Sequence, residues 1–341
     1  MFRRLMFFVL LLMTLTFSVN LISAQDATAE PTPEATVTPE TETPPDGGTD
    51  TAAPLVIDIG VYVVGVSEFQ LDAGIYNVDF YLTMHCNRPC SAEEAGIDVI
   101  GVSGTEGLNV ELRIEREDYF EYRIQAVMSQ NKIDLSRFPF DTHSLRVIVE
   151  SKFATTDVVQ FTQHATENGV DSDAHLPGWD LEDTFTVDIT EKPYYGADTG
   201  YARYVFTMTL NRVPVAAFIR DVLPALVILF ISFLGTFMPD RNQRIGLAGG
   251  ILLAMLVHHL GVSGNIPAVA YPVYFDAFML INDAAILIQF GFTVLELVYE
   301  NRGTPKERLD RFALLTLIGI IVVWVIAQAI TIQVFQSIVA A

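Results

Sequence analysis

Four long apolar stretches in the C-terminal part of the chain restrict its fold more than any other feature. They cover residues 222–238, 245–275, 278–298 and 312–341 and contain very few charged side chains. A helix of about 20 apolar residues crosses a bilayer, and it satisfies its own backbone hydrogen bonds there. The sequence therefore predicts a transmembrane domain over residues 214–341, with helices at about 214–238, 243–264, 273–299 and 310–337.

The basic residues between these stretches predict how the helices are oriented. Arg241 and Arg244 precede the second stretch, and residues 302–311 contain four basic side chains, whereas residues 264–271 contain none. Connections rich in Lys and Arg remain in the cytoplasm. We therefore expect the preceding domain and the C-terminus to lie outside the cytoplasm.

Small and apolar residues recur at intervals of three and four along the second stretch. This spacing places them on one face of a helix. We predict that this face lines a pore and that Leu253 closes it, because apolar rings can expel water. A contact face between packed helices, with Gly246 and Gly250 as a GxxxG pair, is the alternative. The predicted pore-lining residues are Asn242, Gly246, Gly250, Leu253, Val257, Leu260 and Gly264.

Two adjacent histidines, His258 and His259, lie in the same stretch. An imidazole changes its charge near neutral pH, so these residues are candidates for a pH sensor. Consecutive residues point about 100° apart on a helix, so we expect at most one ring near the pore. Neutral histidines that are hydrogen-bonded between helices are the alternative.

Residues 1–54 contain two segments that the sequence does not assign to a folded domain. Arg3 and Arg4, the apolar run after them and the small residues before Gln25 are typical of a secretory signal peptide over residues 1–24. Residues 25–54 are rich in Pro, Thr and Glu and contain no aromatic residue, so we expect a disordered linker. The next domain is therefore exported, where disulfides form.

Short β-branched and aromatic runs, separated by Gly, Asp and Asn, fill residues 55–213. Several runs alternate polar and apolar residues, so they predict half-buried strands of an all-β sandwich of immunoglobulin-like type. This domain has 26 acidic and 11 basic residues, a formal charge of −15. Such a charge argues against nucleic acid as a partner and would concentrate cations near the domain.

The chain has two cysteines, Cys86 and Cys90, and both lie in this domain. We expect a disulfide that closes a small loop. A metal site is the alternative, but His85 is the one further ligand candidate nearby, so no metal is predicted.

Several short motifs follow one another in a characteristic order. Residues 137–141 read RFPFD, and residues 244–255 read RIGLAGGILLAM. Further motifs are Gly178-Trp179-Asp180, Asn211-Arg212, Leu223-Pro224, Asn265-Ile266-Pro267 and Tyr271-Pro272. Over about residues 55–341 the chain resembles the pentameric ligand-gated ion channels, the Cys-loop receptor superfamily. Asn131 and Leu145 stand where the two loop cysteines of eukaryotic members are found, and the connection between the third and fourth helices is short, which is similar to the prokaryotic branch.

The resemblance implies a homopentamer around a central pore, in the inner membrane of a bacterial cell. It places an agonist between neighbouring subunits, in a box of aromatic side chains whose faces attract cations. The candidate residues are Phe153, Tyr194, Tyr195 and Tyr201, together with His85, which stands in the place of a tryptophan. The box is incomplete, which argues against an amine, and the expected agonist is a small molecule or protons.

The resemblance also implies a junction that couples the two domains. Asp141 is expected to pair with Arg212, and Glu68 or Asp72 are further candidate partners. Removing one partner of such a pair in a confined site leaves the other poorly compensated. The remaining coupling residues are expected to be Phe138, Pro139, Phe140 and Pro267.

These features predict a subunit of a ligand-gated ion channel. The expected partners are further copies of the chain, a small-molecule agonist or protons, permeating monovalent ions and the lipid bilayer, with no cofactor. No nucleophile, base and orienting group form a constellation, so no enzyme is predicted. A non-conducting membrane sensor or adhesion protein of the same architecture is the alternative.

Ion selectivity is left open by the sequence. Asn242 and Gln243 occupy the predicted inner mouth of the pore, with Asp240 before them and Arg241 and Arg244 beside them. The negative sandwich domain would favour cations.

Overall fold

The computed structural model describes residues 53–104, 107–130, 133–195 and 199–340, with side chains up to residue 337. The predicted signal peptide, nearly all of the predicted linker and Asn131 lie outside these residues. The described part consists of a β-domain followed by a helical domain.

Ten strands form the β-domain within the described residues. They are β1 Leu55–Gln70, β2 Ile75–Cys86, β3 Ile97–Ile100, β4 Leu108–Glu115, β5 Tyr119–Ser129, β6 Thr142–Thr155, β7 Val159–Gln163, β8 Gly169–Val170, β9 Trp179–Lys192 and β10 Tyr201–Arg212. The order β4-β5-β2-β1-β7 makes one sheet, in which β8 also pairs with β1, and the order β3-β6-β10-β9 makes the second sheet.

The two sheets enclose one apolar core, which confirms the predicted sandwich. Every second residue of β2 and of β10 is buried, because successive side chains of a strand point to opposite faces. Phe80 from one sheet and Phe206 from the other belong to this core. The outward residues of the same strands are polar or half-buried, and they carry the candidate sites.

Two short strands, β7 and β8, make pairings that the sequence pattern did not indicate. β7 and β8 pair with β1 in parallel, with Leu55 opposite Val159 and Tyr62 opposite Gly169. The β7 sequence VQFTQ alternates apolar and polar residues, but this alternation does not specify β1 as its partner, and β8 has only two residues. At the end of β2, Cys86 and Cys90 form a disulfide.

Four helices follow, and each is long and apolar enough to cross a membrane. They are α1 Pro214–Gly235, α2 Arg241–Ser263, α3 Tyr274–Asn301 and α4 Lys306–Ala340. The first helix ends three residues before its predicted limit at 238, and the fourth begins four residues before its predicted start at 310. Pro305 directly precedes α4, and a proline is well tolerated where a helix begins because it lacks only an N–H that would be unpaired there.

The first helix contains a π-helical turn, Phe218–Val222, directly before Pro224. Proline has no N–H to donate to the preceding turn, which explains why the regular hydrogen-bond ladder is interrupted here. Asp240 caps the start of the second helix, and its side chain accepts a hydrogen bond from the backbone N–H of Asn242.

An ionic cluster at one end of the helical domain ties α2, α3 and α4 together. It is made of Arg241, Arg244, Glu296, Glu300 and Asp310, and Asp310 lies at its exposed edge. Arg241 lies 3.0 Å from Glu300 and 2.8 Å from Asp310, while Arg244 lies 3.0 Å from Glu296. Both arginines and Glu296 are buried. Each charge has an opposite charge beside it, which burial at this depth requires.

A second polar contact ties α3 to α4 further along the helices. The indole N–H of Trp324 donates to the side-chain carbonyl of Asn282 over 2.7 Å. Asn282 is fully buried, so this hydrogen bond joins α3 to α4 inside the helical domain.

Removal of the Glu296 charge tests the ionic cluster. Glu296→Gln leaves Arg244 buried without its carboxylate, and we expect a loss of stability on the order of 3 kcal/mol. Thermal unfolding of the solubilised protein measures the loss. The matched control is Glu307→Gln, on the exposed start of α4, which we expect to change the midpoint little. Equal midpoints for both variants would refute a structural role for the cluster.

Candidate functional site

The predicted pore-lining residues form one exposed face of α2, which we call the pore stripe. It contains Asn242, Gly246, Gly250, Leu253, Val257, Leu260 and Gly264, all of which are exposed. The three branched residues Leu253, Val257 and Leu260 are 63%, 61% and 64% exposed. Large apolar side chains in such a continuous row are normally covered by a neighbour or directed at an apolar space.

The opposite face of α2 packs inside the helical domain. Ile251, Met255 and Val262 are buried there in an apolar cluster shared with α1 and α3. The helix thus has one packed side and one free side. This division follows the spacing of its residues rather than their polarity, because both sides are apolar.

Both predicted pH-sensing histidines lie beside the packed face, and neither lies on the pore stripe. The His258 Nε2 atom is 2.9 Å from the backbone oxygen of Asp221 in α1. The His259 Nε2 atom is 3.3 Å from Asp276, and its Nδ1 atom is 3.9 Å from Asp283, both in α3. Both rings thus have partners on neighbouring helices, and neither points along the face that is predicted to line the pore.

The basic residues next to the predicted inner mouth of the pore are also directed away from the stripe. Arg241 and Arg244 point into the ionic cluster and are buried, whereas Asn242 and Gln243 are exposed. Sequence proximity suggested conflicting charges around this end of the stripe. In the structure, the two positive charges lie away from this end of the pore stripe.

The segment 133–141 connects the β-domain to the helices. Leu135 donates its backbone N–H to the Tyr271 hydroxyl over 2.9 Å, and the backbone N–H of Tyr274 donates to the Ser136 carbonyl over 2.9 Å. Phe138 is buried among helical residues, and its ring centroid is 5.8 Å from that of Phe275. The segment is thereby fixed to the start of α3 by both hydrogen bonds and packing.

Asp141 and Arg212 pair at the centre of this junction, where the resemblance places them. The Arg212 Nε atom donates to Asp141 Oδ1 over 2.6 Å, and its Nη2 atom donates to Oδ2 over 3.1 Å. The guanidinium also lies 4.2 Å above the Trp179 ring and 5.0 Å from the Phe138 ring. Planar guanidinium groups combine two-point binding of carboxylates with stacking on aromatic faces.

His143 is a further member of this cluster that the sequence analysis missed. Its Nε2 atom lies 2.6 Å from Asp141 Oδ2, and its ring packs 5.3 Å from that of Phe69, at the end of β1. Residues two apart on a strand share a face, so the sequence Asp141-Thr142-His143 at the start of β6 contained the signal. The long-range contact with Phe69 had no local signal.

The other predicted coupling residues do not form ion pairs with Asp141 or Arg212 within the described residues. Within the described residues, no ion pair joins Glu68 or Asp72 to Arg212, and the Glu68 carboxylate accepts from Asn77 instead. Pro139 is buried within the segment 133–141, whereas Phe140 is exposed, with its ring 6.5 Å from that of Tyr274. Pro267 lies half-buried between α2 and α3.

The electrostatics of the junction favour an ionised Asp141. Burial raises the pKa of this carboxyl, but hydrogen bonds from His143 and Arg212 outweigh it and leave the pKa below its usual value. A carboxyl with a lowered pKa stabilises the folded state fully above the unfolded value of about 3.9, and this contribution disappears as the pH falls through the lowered value. Asp141 therefore does not titrate between pH 5 and pH 8.

Three of the predicted agonist-binding residues meet at the ends of β9 and β10. The Tyr194 ring lies 5.9 Å from that of Tyr201 and 6.4 Å from that of Tyr195, and the Tyr195 side chain is fully exposed. The Tyr194 hydroxyl donates to Glu150 over 3.0 Å and accepts from Arg203 over 2.9 Å. Burial and the bond to Glu150 raise the pKa of Tyr194, so it stays neutral.

Phe153 and His85 are not joined to this tyrosine group by any contact among the described residues. Phe153 is 65% exposed, and the Lys152 ammonium lies 5.2 Å from its ring centroid. His85 belongs to the other sheet, where it stacks on His164 with 4.5 Å between centroids. Within one chain the predicted ligand-binding residues therefore lie in three places: the tyrosine group, Phe153 on β6 and His85 on β2.

Comparisons with known proteins agree with this architecture. The chain is 23% identical over 184 residues to a proton-gated ion channel of Gloeobacter violaceus, which is 54% of this chain and 50% of the relative. It is 24% identical over 210 residues to gamma-aminobutyric acid receptor subunit rho-1 of Rattus norvegicus, and likewise of Homo sapiens, which is 60% of this chain and 42% of those relatives. The chain thus spans about half the length of the curated relatives that it matches. No family profile matches it.

The resemblance to the pentameric ligand-gated ion channels that the motifs indicated is confirmed by these relatives. Together with the four apolar helices, they make the chain a multi-pass membrane protein. The relatives are ion channels and not enzymes, which fits the expectation from sequence at the level of the family.

Substitution of Arg212 tests the junction. Arg212→Gln leaves Asp141 buried beside His143 alone, and we expect a loss of about 3–5 kcal/mol of stability. Arg113→Gln is the matched control, because Arg113 pairs with Glu111 over 3.4 Å at the surface and should contribute less than about 1 kcal/mol. Thermal unfolding of both solubilised variants gives the comparison.

A charge exchange adds a second test of the same pair. Arg212→Glu should impair assembly or gating, and Asp141→Arg in the same chain should restore it only in part, because His143 would then face a positive charge. If Arg212→Glu alone leaves stability and current unchanged, the junction does not have this role.

Proposed function

We infer that this chain is a subunit of a pentameric ligand-gated ion channel whose pore is lined by α2. The pore stripe carries this inference. One face of α2 exposes a row of glycines and branched apolar residues, while the opposite face packs against α1 and α3. In a ring of five copies, the free face of each α2 would be turned to the common axis.

The proposed assembly is a homopentamer. Five Leu253 side chains, with Val257 and Leu260 above them, would form successive apolar rings that close the pore by excluding water. Gly246 and Gly250 would leave the other half of the pore wide. Within the described residues of one chain nothing covers this row of exposed side chains, and identical neighbours would do so.

The proposed location is the inner membrane of a bacterial cell, with the sandwich and the C-terminus outside the cytoplasm. The two connections with basic residues, before α2 and between α3 and α4, would lie on the cytoplasmic side. The ionic cluster would then lie at the cytoplasmic end of the helices, and the segment 133–141 at the outer end.

The tyrosine group supports an agonist site between subunits, with His85 contributed by the opposite face of the neighbouring subunit. Basic side chains of the chain itself already contact the aromatic and acidic groups around the tyrosines. Arg203 neutralises Glu150 and binds Tyr194, while Lys152 lies against Phe153. A cationic amine would compete with them, so we propose a neutral or anionic small molecule, or protons as for the relative from Gloeobacter violaceus.

The proposed permeating ions are monovalent cations. Arg241 and Arg244 are buried away from the pore stripe, so the inner mouth is formed by Asn242 and Gln243 without a positive charge. The sandwich, with a formal charge of −15 per subunit, would raise the cation concentration at the outer mouth.

Current recordings test the proposed function directly. The purified protein is reconstituted in planar bilayers, or expressed in cells, and exposed to pH steps and candidate ligands under asymmetric salt. We expect gated currents whose reversal potential follows the monovalent cation gradient. A correctly inserted pentamer without current under any of these conditions would favour the non-conducting sensor.

The gate is tested with Leu253→Ser. A hydroxyl in place of the isobutyl group lets water remain in the ring, so we expect an increased resting current or higher agonist sensitivity. Leu252→Ser is the matched control, since Leu252 packs against the apolar helix cluster one residue away. If the resting current and the dose response of Leu253→Ser equal those of the wild type, Leu253 is not the gate.

The pH sensor is tested with single histidine variants between pH 8 and pH 5. His259 faces two carboxylates, Asp276 and Asp283, so its protonation would strengthen the contact of α2 with α3. His258 faces a backbone carbonyl. We expect His259→Gln to flatten the pH dependence of the current, and His258→Gln, the neighbouring control, to alter it less. Coinciding profiles for the wild type and the double variant would exclude both residues and direct attention to the carboxylates of the sandwich.

A further inference from the structure

Two histidines and a glutamate meet on the outer face of the larger sheet. His85 lies near the end of β2, His164 directly follows β7, and Glu167 lies between β7 and β8. The His85 Nε2 atom is 2.9 Å from Glu167 Oε2, and the His164 Nδ1 atom is 3.8 Å from the same oxygen. One ligand atom from each residue lies within 4.8 Å of the others, and no second group of this kind occurs within the described residues.

The backbone around these residues is fixed by the pairing of three strands. β1 lies between β2 and β7, with Asp58 opposite His85 on one side and Ile59 opposite Gln163 on the other. The backbone N–H of His164 donates to the Ile59 carbonyl over 2.9 Å. The strand pairing therefore fixes the backbone positions of both histidines.

The segment 164–168 is held directly against β1. The Asn168 side chain accepts from the backbone N–H of Val61 over 2.9 Å and donates to the His164 carbonyl over 2.8 Å. Gly60 permits this close approach, because a Cβ atom there would lie only 2.7 Å from the Glu167 Cβ atom. The backbone of Glu167 is thereby held in place against β1.

The side chains are oriented towards one another and are only half-exposed. The imidazole planes of His85 and His164 stack at 14°, and the Tyr119 ring lies 4.7 Å from His85 on another side. The His164 Nδ1 atom, which faces Glu167, is buried and has no hydrogen-bond partner among the described residues. A buried polar atom without a partner is rare and calls for an explanation such as a bound ion.

An ionised carboxylate and neutral imidazoles are the forms in which these three side chains bind a metal ion.

We propose that His85, His164 and Glu167 form a binding site for a divalent transition-metal ion of the Zn²⁺ type. Two nitrogens and one oxygen are a common ligand set for Zn²⁺, at distances of about 2.0–2.2 Å, with a fourth position left to water or another ligand. Imidazole ligands select such ions over Ca²⁺ and Mg²⁺, which prefer oxygen. The unpartnered Nδ1 atom of His164 gains a partner when the ion binds.

The bound ion would connect β2 to the segment that follows β7. All three ligands come from one chain, so the site needs no neighbouring subunit and is independent of the proposed channel function. His85 is also a candidate agonist-binding residue, so an ion here would change the surface that a neighbouring subunit presents to the agonist.

Metal binding by the full chain tests this proposal. The solubilised protein is stripped of metal with a chelator, dialysed, and titrated with Zn²⁺ against a chromophoric competitor, and with Co²⁺ under visible absorption. We expect one equivalent per chain and Co²⁺ bands of a four-coordinate site. We also expect the affinity to fall as the pH drops below about 6.5, where imidazoles become protonated. Ca²⁺ should not compete.

Three variants identify the ligands. Glu167→Gln and His164→Gln keep similar side-chain shapes, and each should weaken Zn²⁺ binding by more than the roughly 10-fold loss seen when only an outer partner of a ligand is removed. His175→Gln is the matched control, because His175 is an exposed histidine of the same domain outside the cluster. It should bind as the wild type does.

Two results would overturn the proposal. One is a wild type that binds no Zn²⁺ or gives the Co²⁺ spectrum of the free aqueous ion, and the other is undiminished affinity in both Gln variants. Circular dichroism and the elution volume of each variant establish that it is folded. If one variant does not fold, the Co²⁺ spectrum of the wild type and the other variant still decide between the outcomes.

Discussion

The ion pair between Asp141 and Arg212 is the contact on which the relation of the two domains depends. Arg212 is the last residue of β10, and α1 begins two residues later at Pro214, so its position fixes where the membrane domain starts. Asp141 directly precedes β6, the neighbour of β10 in the smaller sheet. A buried ion pair adds little net stability, since desolvation offsets much of the attraction. Its effect here is to fix the relative positions of the two residues, because a structure that separates them would leave each charge buried without its partner.

Residues around this pair contact both the sandwich and the helices. On the sandwich side, Trp179 stacks on Arg212, and Phe69 packs on Trp179 and His143, so the ends of β1, β6, β9 and β10 meet in one place. On the helix side, the segment 133–141 binds Tyr271 and Tyr274 at the start of α3. A movement of the smaller sheet would therefore reach the connection between α2 and α3 through packed and hydrogen-bonded groups.

The sequence predicted what depends on local periodicity and missed what depends on long-range pairing. Helix length and the intervals of three and four defined the four helices and the pore stripe, and the alternation along the long strands defined the sandwich. Asp141 and Arg212 are 71 residues apart, and only the family motifs brought them together. Glu167 lies 82 residues from His85, and no local pattern indicates that β1 pairs with both β2 and β7, which is what brings the two residues together. Sequence proximity also misplaced Arg241 and Arg244, because a helix turns charges that are close along the chain to different sides.

The distribution of polar contacts along α2 limits how this helix can move. Its first turn is held by Arg241 and Arg244, which contact three carboxylates on α3 and α4. Its outer half has weaker polar contacts, a hydrogen bond from His258 to a backbone carbonyl and the His259 contacts at 3.3 and 3.9 Å. Breaking the inner cluster would expose buried charges, whereas the outer contacts can shift at little cost. Among its polar contacts, those of the first turn are therefore the costliest to break. In the proposed channel, a tilt of α2 about its first turn would displace Leu253, Val257 and Leu260 further than Gly246, so it would change the width of the pore most at the apolar rings.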